Sequence, residues 1–292
     1  MGMKIRVPAS SANLGPGFDC FGVAWQLYNE IEFEKNSSLL IEGCDEKYCN
    51  GENLSYRAFC AVLDRAGVED RGVHIRFGRT DVPVSRGLGS SAALICAGVI
   101  AADALYGLNM PKEQLFDIAT AIEGHPDNIA PALFGGFTAS TMESGVPVTA
   151  HFPISDRLHF TVLIPDFELS TALARSVLPE SYSRADAVFN VSRAALVIRA
   201  MADGDGELLK AAMQDRIHQP YRTRLIDGFE AVQGMAEECG ASAMCISGAG
   251  STLLCVSRDE SFTEKMSAKM KETFPAWRVI KVVPDNDGAR IV

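Results

Sequence analysis

Pro83-Val84-Ser85-Arg86-Gly87-Leu88-Gly89-Ser90-Ser91-Ala92-Ala93 joins a turn of small residues to an apolar run of helical length that continues to Leu105. Glycine permits the close backbone approach that a loop wrapped around phosphate oxygens needs. The helix that follows offers unpaired N–H groups at the positive end of its dipole. Ser90 and Ser91 add hydroxyls suited to phosphate or metal. The stretch reads as a phosphate cradle, against the structural alternative of a plain glycine turn before a buried helix.

Other nucleotide signatures fit poorly. Gly87-x-Gly89-x-x-Ala92 matches the glycine spacing of a dinucleotide fingerprint, but that motif wants a strand running straight into the first glycine and an acidic residue roughly 20 positions on. The nearest expected strand, Val73 to Phe77, is separated from Gly87 by Arg79-Thr80-Asp81-Val82-Pro83, and Asp103 comes too early. A Walker A loop is excluded because no Gly-Lys-Ser/Thr occurs.

With 292 residues and 47% hydrophobic content, the chain can build one large or two ordinary domain cores. A net charge of −10 and the lack of a basic run argue against a nucleic-acid surface. The eight cysteines are scattered and form no Cys-x-x-Cys pair, which predicts reduced thiols in a cytoplasmic protein. The first residues hold no apolar segment of signal length, and no later run is an uninterrupted membrane span, so no membrane partner is expected.

Periodicity predicts a mixed α+β chain. Extended segments are expected at Lys4 to Val7, Ala24 to Phe33 and Val73 to Phe77, with helices at Asn53 to Ala66 and Ser90 to Leu105. Leu115, Ile118, Ala119 and Ile122 recur at helical spacing after Pro111, which puts Gly124 just past the helix and Glu123 at its end. Phe160, Val162 and Ile164 alternate with Thr161 and Leu163 and open a second half. The division is placed near 155, giving domains 1–155 and 156–292. Further helices are expected at Ala187 to Met201, Glu207 to Met213, Arg224 to Cys239 and Phe262 to Phe274. Strands are expected at Ala243 to Ser247, Thr252 to Val256 and Trp277 to Val283. Helices and antiparallel strands in this order suggest an α+β sandwich.

Two further segments are rich in small residues. Ser247-Gly248-Ala249-Gly250-Ser251-Thr252 lies between apolar strands and is longer than a hairpin turn requires, which leaves close approach to a ligand or another backbone open beside the hairpin reading. Pro8-Ala9-Ser10-Ser11-Ala12-Asn13-Leu14-Gly15-Pro16-Gly17-Phe18-Asp19 carries polar groups as well: Asn13 is both donor and acceptor, and Asp19 is a charge. Asn and Asp in such a connection also serve the local backbone.

In order and spacing, segments 8–19, 83–93 and 247–252 resemble the three motifs of the GHMP small-molecule kinases, and the resemblance covers nearly the whole chain. It is closest to the homoserine-phosphorylating branch. The residues that carry this are Asn-Leu-Gly-x-Gly-Phe-Asp at 13–19, Glu-Gly-His-Pro-Asp-Asn-Ile-Ala-Pro at 123–131, Leu-Phe-Gly-Gly-Phe at 133–137, Ser-Thr-Ala-Leu-Ala-Arg at 170–175 and Gln-Pro-Tyr-Arg at 219–222.

The resemblance implies ATP-dependent phosphorylation of the side-chain hydroxyl of L-homoserine. It also implies an N-terminal domain like domain 2 of ribosomal protein S5, a C-terminal ferredoxin-like α+β domain, and a site in the cleft between them. Pro83, Val84, Ser85, Arg86, Gly87, Leu88, Gly89, Ser90 and Ser91 would hold the ATP phosphates, with Asn53 on the adenine side or capping a helix. Mg²⁺ prefers one or two protein oxygens beside phosphates and waters, so Ser91 and Glu123 are the expected ligands. For the zwitterionic substrate, Arg175 and Arg222 would fork the carboxylate and Asp19 would pair with the ammonium. Asn13, Asp127 and Asn128 would orient the amino acid and its hydroxyl, with Thr171 and Gly248 alongside.

Asn13, Glu123, Asp127 and Arg175 are the expected catalytic set. Some relatives use an Asp–Lys base pair, but the 123–131 block holds no lysine. That favours chemistry in which the phosphate itself takes the hydroxyl proton and Asp127 serves in binding. His125, without metal-site company, is expected to make a structural hydrogen bond. A kinase for threonine or mevalonate, a non-catalytic nucleotide-binding regulator and a dehydrogenase are the rival readings. A homodimer is compatible with the sequence and not specified by it.

Overall fold

The computed structural model describes residues 2–292, so Met1 of the expected first domain lies outside the described residues. The elements run β1 (Met3–Ala12), β2 (Phe21–Lys35), β3 (Leu40–Glu42), α1 (Leu54–Ala66), β4 (Val73–Thr80), α2 (Ser90–Tyr106), α3 (Lys112–Glu123), α4 (Pro126–Phe134), β5 (Phe137–Glu143), β6 (Val146–Phe152) and β7 (His159–Ile164). There follow α5 (Thr171–Ser176), α6 (Arg184–Asp203), α7 (Gly206–Ala212), α8 (Gln219–Arg222), α9 (Phe229–Glu238), β8 (Ala243–Ile246), β9 (Leu253–Ser257), α10 (Phe262–Thr273), β10 (Arg278–Val282) and β11 (Arg290–Ile291).

Strands order as β11-β1-β2-β4-β3 in the first sheet, with β5 pairing β2 and β6 pairing β5. Ile5, Val7, Ile31, Phe33 and Ile75 on this sheet pack against Phe59 and Leu63 of α1 and Ile95 and Val99 of α2. Being apolar on every side, α2 is buried between its neighbours. Gly98 allows the close crossing: a Cβ there would stand 2.1 Å from the Ser55 carbonyl oxygen of α1.

The second sheet has the antiparallel order β10-β7-β9-β8, the spatial order of a ferredoxin-like α+β layer. One face packs on α9 and α10 through Phe262, Met266 and Val232. The other meets α6, α7 and the first sheet, with the Trp25 and Phe160 rings 5.0 Å apart. The alternation expected from Phe160 to Ile164 therefore does not divide core from solvent. Thr161 and Leu163 are buried too, because β7 is an inner strand covered on both faces.

The structure departs from or adds to the sequence reading at three further places. The helix expected from Arg224 begins only at Phe229, since Gly228 takes a φ of 84° and residues 223–225 form a separate tight turn. Helix α4 was not anticipated, because Pro126 and Pro131 mask it; Pro126 fits its first turn. Pro131 leaves the Asp127 carbonyl without its helical donor, and β2 closes over it at Gly22, where a Cβ would come within 2.0 Å of that oxygen.

The third concerns the tail of the expected second domain. After β10 the chain returns to the first sheet, bridging Pro284 to Trp25 and pairing β11 with β1. Asp285, 2% exposed, pins this return. It accepts from the Tyr28 hydroxyl at 2.7 Å, from the Gly288 N–H at 2.7 Å and from the Asp287 N–H at 3.0 Å, and it pairs with Arg290 at 3.2 Å. Asp285→Ala strands the buried Gly288 N–H and unpairs three partly buried donors. The expected cost is roughly 3 kcal/mol, read by calorimetry as a Tm lower by several degrees. An unchanged Tm would show that the tail contributes nothing to the fold.

Candidate active site

Three loops meet where the two sheets adjoin. In the loop after β1, Asn13, Leu14 and Gly15 have φ of 72°, 45° and 75°, and Asp19 has 53°. Left-handed backbone at non-glycine residues costs energy, and its clustering marks a loop shaped for something other than stability. Asn13, 2% exposed, bolts this loop to the third: its Nδ2 donates to the Gly248 carbonyl at 2.7 Å, and its Oδ1 accepts the Asp19 N–H at 2.9 Å. Gly248 N–H returns a bond to Ala12 O at 3.0 Å.

In the loop before α2, left-handed φ recurs at every second residue, Ser85, Gly87 and Gly89. The carbonyls of residues 85–88 are claimed by the protein. Leu169 N–H donates to Ser85 O, Thr252 N–H to Arg86 O, the Ser247 hydroxyl to Gly87 O and Ser10 N–H to Leu88 O. With carbonyls turned to the scaffold and alternate residues left-handed, the backbone has the pattern whose N–H groups can cradle an anion, and it runs into the α2 N-terminus. No side chain caps that terminus, because the cap residue is Gly89. A Cβ at 89 would sit 2.0 Å from Ser10 Oγ.

Not every residue expected to touch phosphate points at it. The Leu88 side chain is 1% exposed and belongs to the core between the sheets, so only its backbone is available. Arg86 spends its guanidinium on the Pro165 and Asp166 carbonyls at 3.1 and 2.9 Å, tying the loop to the second sheet. Pro83 is half-buried, and Val84 and Ser85 are exposed. Asn53 makes the capping bond: its side chain accepts from Ser55 N–H and donates to Tyr48 O, both at 3.0 Å, which leaves one N–H and one lone pair of its amide.

Beside the α2 terminus, Ser91 Oγ donates to Glu123 Oε2 at 2.5 Å. Glu123 ends α3, which has no basic residue in its last turn. A carboxylate at the negative end of a helix dipole is unfavourable for the helix, so its placement calls for another reason. Among the described residues no group of three or more His, Cys, Asp or Glu could hold a metal. A two-oxygen set of hydroxyl and carboxylate fits Mg²⁺, which keeps phosphate and water ligands.

Helix α4 brings Asp127 and Asn128 to the same place. Asn128 Oδ1 accepts from Ser10 Oγ at 2.9 Å. Asp127 is 3% exposed, and its Oδ1 has no partner. Burial, reinforced by the charge of Asp19, pushes its carboxyl up to about 7. His125 Nδ1 lies 3.7 Å from that oxygen, and burial holds this histidine below its usual range. The structural hydrogen bond expected of His125 is missing, since its Nδ1 is buried without a partner.

Across from these, Arg175 forks Asp19 through Nη1 and Nη2 at 3.0 and 2.7 Å. Arg222 is 1% exposed and donates from Nε to Ala174 O at 3.0 Å and from Nη1 to Gly248 O at 3.2 Å. Both arginines are thus already tied to the protein, Arg175 through its fork to Asp19 and Arg222 through Nε and Nη1. Both guanidinium carbons lie near the Phe18 ring, 5.6 and 5.1 Å from its centroid. Thr171 stands exposed at the first residue of α5. Phe18 and His218 were not singled out from the sequence. Phe18 lies inside the first motif, and His218 immediately precedes the 219–222 block.

Two family models match the chain: the GHMP kinases N terminal domain over residues 53–136 and the GHMP kinases C terminal over residues 197–276. A homoserine kinase of Clostridium botulinum (strain Alaska E43 / Type E3) is 41% identical, over 99% of this chain and 98% of its own. One from Clostridium acetobutylicum is 40% identical over 99% and 100%. Among solved structures, homoserine kinase from Cytophaga hutchinsonii superposes with a TM-score of 0.90 at 28% identity, covering 100% of this chain and 97% of that one. Mevalonate kinase of L. major in complex with R-mevalonate shares the fold, with a TM-score of 0.71 at 17% identity over 98% of this chain and 95% of that one.

Proposed function

The chain belongs to the GHMP kinases, in their homoserine kinase branch, and we propose that the residues gathered at the α2 terminus carry the phosphorylation of L-homoserine as set out here. The activity is transfer of the γ-phosphoryl group of ATP to the side-chain hydroxyl, giving O-phospho-L-homoserine and ADP, a step toward threonine. The observation that carries the residue assignment is the meeting of an anion-binding loop, a Ser91–Glu123 oxygen pair and an Arg175–Asp19 ion pair around one unpartnered buried carboxylate oxygen, that of Asp127.

The N–H groups of 85–91 hold the phosphate oxygens, and Ser91 with Glu123 holds Mg²⁺. When bound, that ion neutralises charge on the phosphates. The Arg175–Asp19 pair offers a zwitterion its mirror image: the guanidinium edge receives the α-carboxylate and the Asp19 carboxylate the α-ammonium. Arg222 adds to the carboxylate side. Asp127 Oδ1 accepts the hydroxyl hydrogen bond and aims the oxygen at the γ-phosphorus. The new P–O bond forms as the bond to the β-phosphate bridging oxygen breaks, and the hydroxyl proton leaves on the transferred phosphoryl group. Positioning and charge neutralisation supply the rate. Asn13, with both amide ends engaged, shapes the pocket by joining two loops. All eight cysteines are free thiols, and among the described residues no helix is long and apolar enough to cross a membrane, which supports a cytoplasmic placement.

A coupled ADP-release assay with Mg-ATP tests the assignment, comparing L-homoserine with L-threonine, L-serine, mevalonate and galactose. Preference for homoserine is expected. Preference for mevalonate, which lacks an ammonium group, would remove the zwitterion role of Arg175–Asp19. ATP binding with no turnover of any acceptor would mark a nucleotide-binding regulator.

A further inference from the structure

His218 lies entirely inside the protein, between the first-motif loop and Arg222, and the mechanism above gives it no task. Its place is fixed from behind by Asp215, whose carboxylate accepts the N–H groups of Ile217, His218 and Gln219 at 2.9, 2.9 and 2.6 Å and Asn190 Nδ2 at 2.6 Å. The ring then reaches both ways. Nε2 is 2.8 Å from the Gly15 carbonyl oxygen in the first motif loop, and Nδ1 is 3.4 Å from Arg222 Nη1. A carbonyl oxygen only accepts and a guanidinium only donates, so the tautomer is determined: Nε2 carries the proton and Nδ1 presents its lone pair. The Phe18 ring stacks on the imidazole, centroids 5.2 Å apart at 22°.

The bonds to Arg222 leave a specific remainder. Ala174 O takes the Nε hydrogen, and Gly248 O and His218 Nδ1 take the two on Nη1, so Nη2 is the end left for a carboxylate. We propose that His218 is a positioning residue for Arg222: its neutral imidazole spans the Gly15 carbonyl and the Arg222 guanidinium and decides which end of that arginine faces the substrate carboxylate. This rests on the reading that Arg222 meets the homoserine carboxylate. The charged groups around the ring are Asp215, Arg222 and Asp19, and burial is the largest influence, holding the imidazole neutral by pushing it down to about 4.

The two ring bonds separate by substitution. His218→Asn keeps an acceptor near Nδ1 and loses the Gly15 bond, whereas His218→Gln keeps a donor near Nε2 and loses the acceptor for Arg222. The expected result is a homoserine KM raised about tenfold in the Gln variant and by less than about threefold in the Asn variant, with the KM for ATP unmoved in both. In an Arg222→Lys background the Gln substitution should raise KM no further, which is the coupling a double-mutant cycle reads. Equal homoserine KM values for Asn and Gln, an ATP KM that moves with them, or additivity with Arg222→Lys would each overturn the proposal. Should a variant fail to fold, ¹⁵N NMR of the wild-type histidines decides the tautomer. A protonated Nδ1 at His218 overturns the proposal, and a protonated Nε2 with bare Nδ1 upholds it. Wild-type turnover of homoserine, measured alongside, tests the underlying reading separately.

Discussion

Glu123→Gln is expected to lower kcat by about 10²- to 10³-fold while leaving Tm unchanged or slightly raised. The loss follows from removing the one anionic oxygen that Ser91 and Glu123 offer Mg²⁺, since a metal that neutralises phosphate charge contributes several kcal/mol to the transition state. The gain in stability follows from the helix. Glu123 is the last residue of α3, where a negative charge opposes the dipole and no basic residue in the last turn offsets it. Gln keeps a carbonyl for the Ser91 hydroxyl at the same reach. Activity and stability thus move in opposite directions, as expected of a residue kept for function. Steady-state kinetics over a range of Mg²⁺ concentrations, with calorimetry on the same samples, makes the check. A kcat within threefold of wild type, or a Tm that falls with it, would return Glu123 to an ordinary helix end.

That helix end was legible in the sequence because its signals are local: Pro111 at the start, apolar residues at helical spacing and Gly124 beyond. The glycine loop before α2 was legible for the same reason. Pairings over long separations were not. Asp19 and Arg175 are 156 residues apart, and nothing near either one tells that the carboxylate meant for an ammonium is forked by the arginine meant for a carboxylate. Helix α4, which carries Asp127, was hidden because proline propensity argues against a helix holding both Pro126 and Pro131. Burial of both faces of β7 depends on what the other sheet and helices do, so alternation of side-chain type could not reveal it. Asn53 was legible as a cap, and its side chain accepts the capping bond from Ser55 N–H.

Asp127→Asn should reduce kcat/KM for homoserine by about 10²-fold at pH 8, most of it in KM, with kcat changed less than about tenfold. The reasoning is that Asp127 Oδ1 is a buried acceptor awaiting a donor and that a charge-assisted bond to the substrate hydroxyl is what the variant loses. Burial first, then the charge of Asp19, pushes this carboxyl up to about 7. It accepts most strongly when ionised, so wild-type kcat/KM should rise with pH and level off above about 7, and the variant should lack that limb. Stability runs the other way. The folded protein holds a proton that the unfolded chain releases near pH 4, so between about pH 4 and 7 the wild type loses stability as pH rises. Asn at 127 escapes that loss, and its Tm advantage over wild type should grow from pH 5 to pH 8. If kcat itself fell by about 10²- to 10⁴-fold with KM unmoved, Asp127 would be the general base and the proton would leave through it. That outcome would also make the absence of a lysine from the 123–131 block irrelevant to how this enzyme handles the hydroxyl proton.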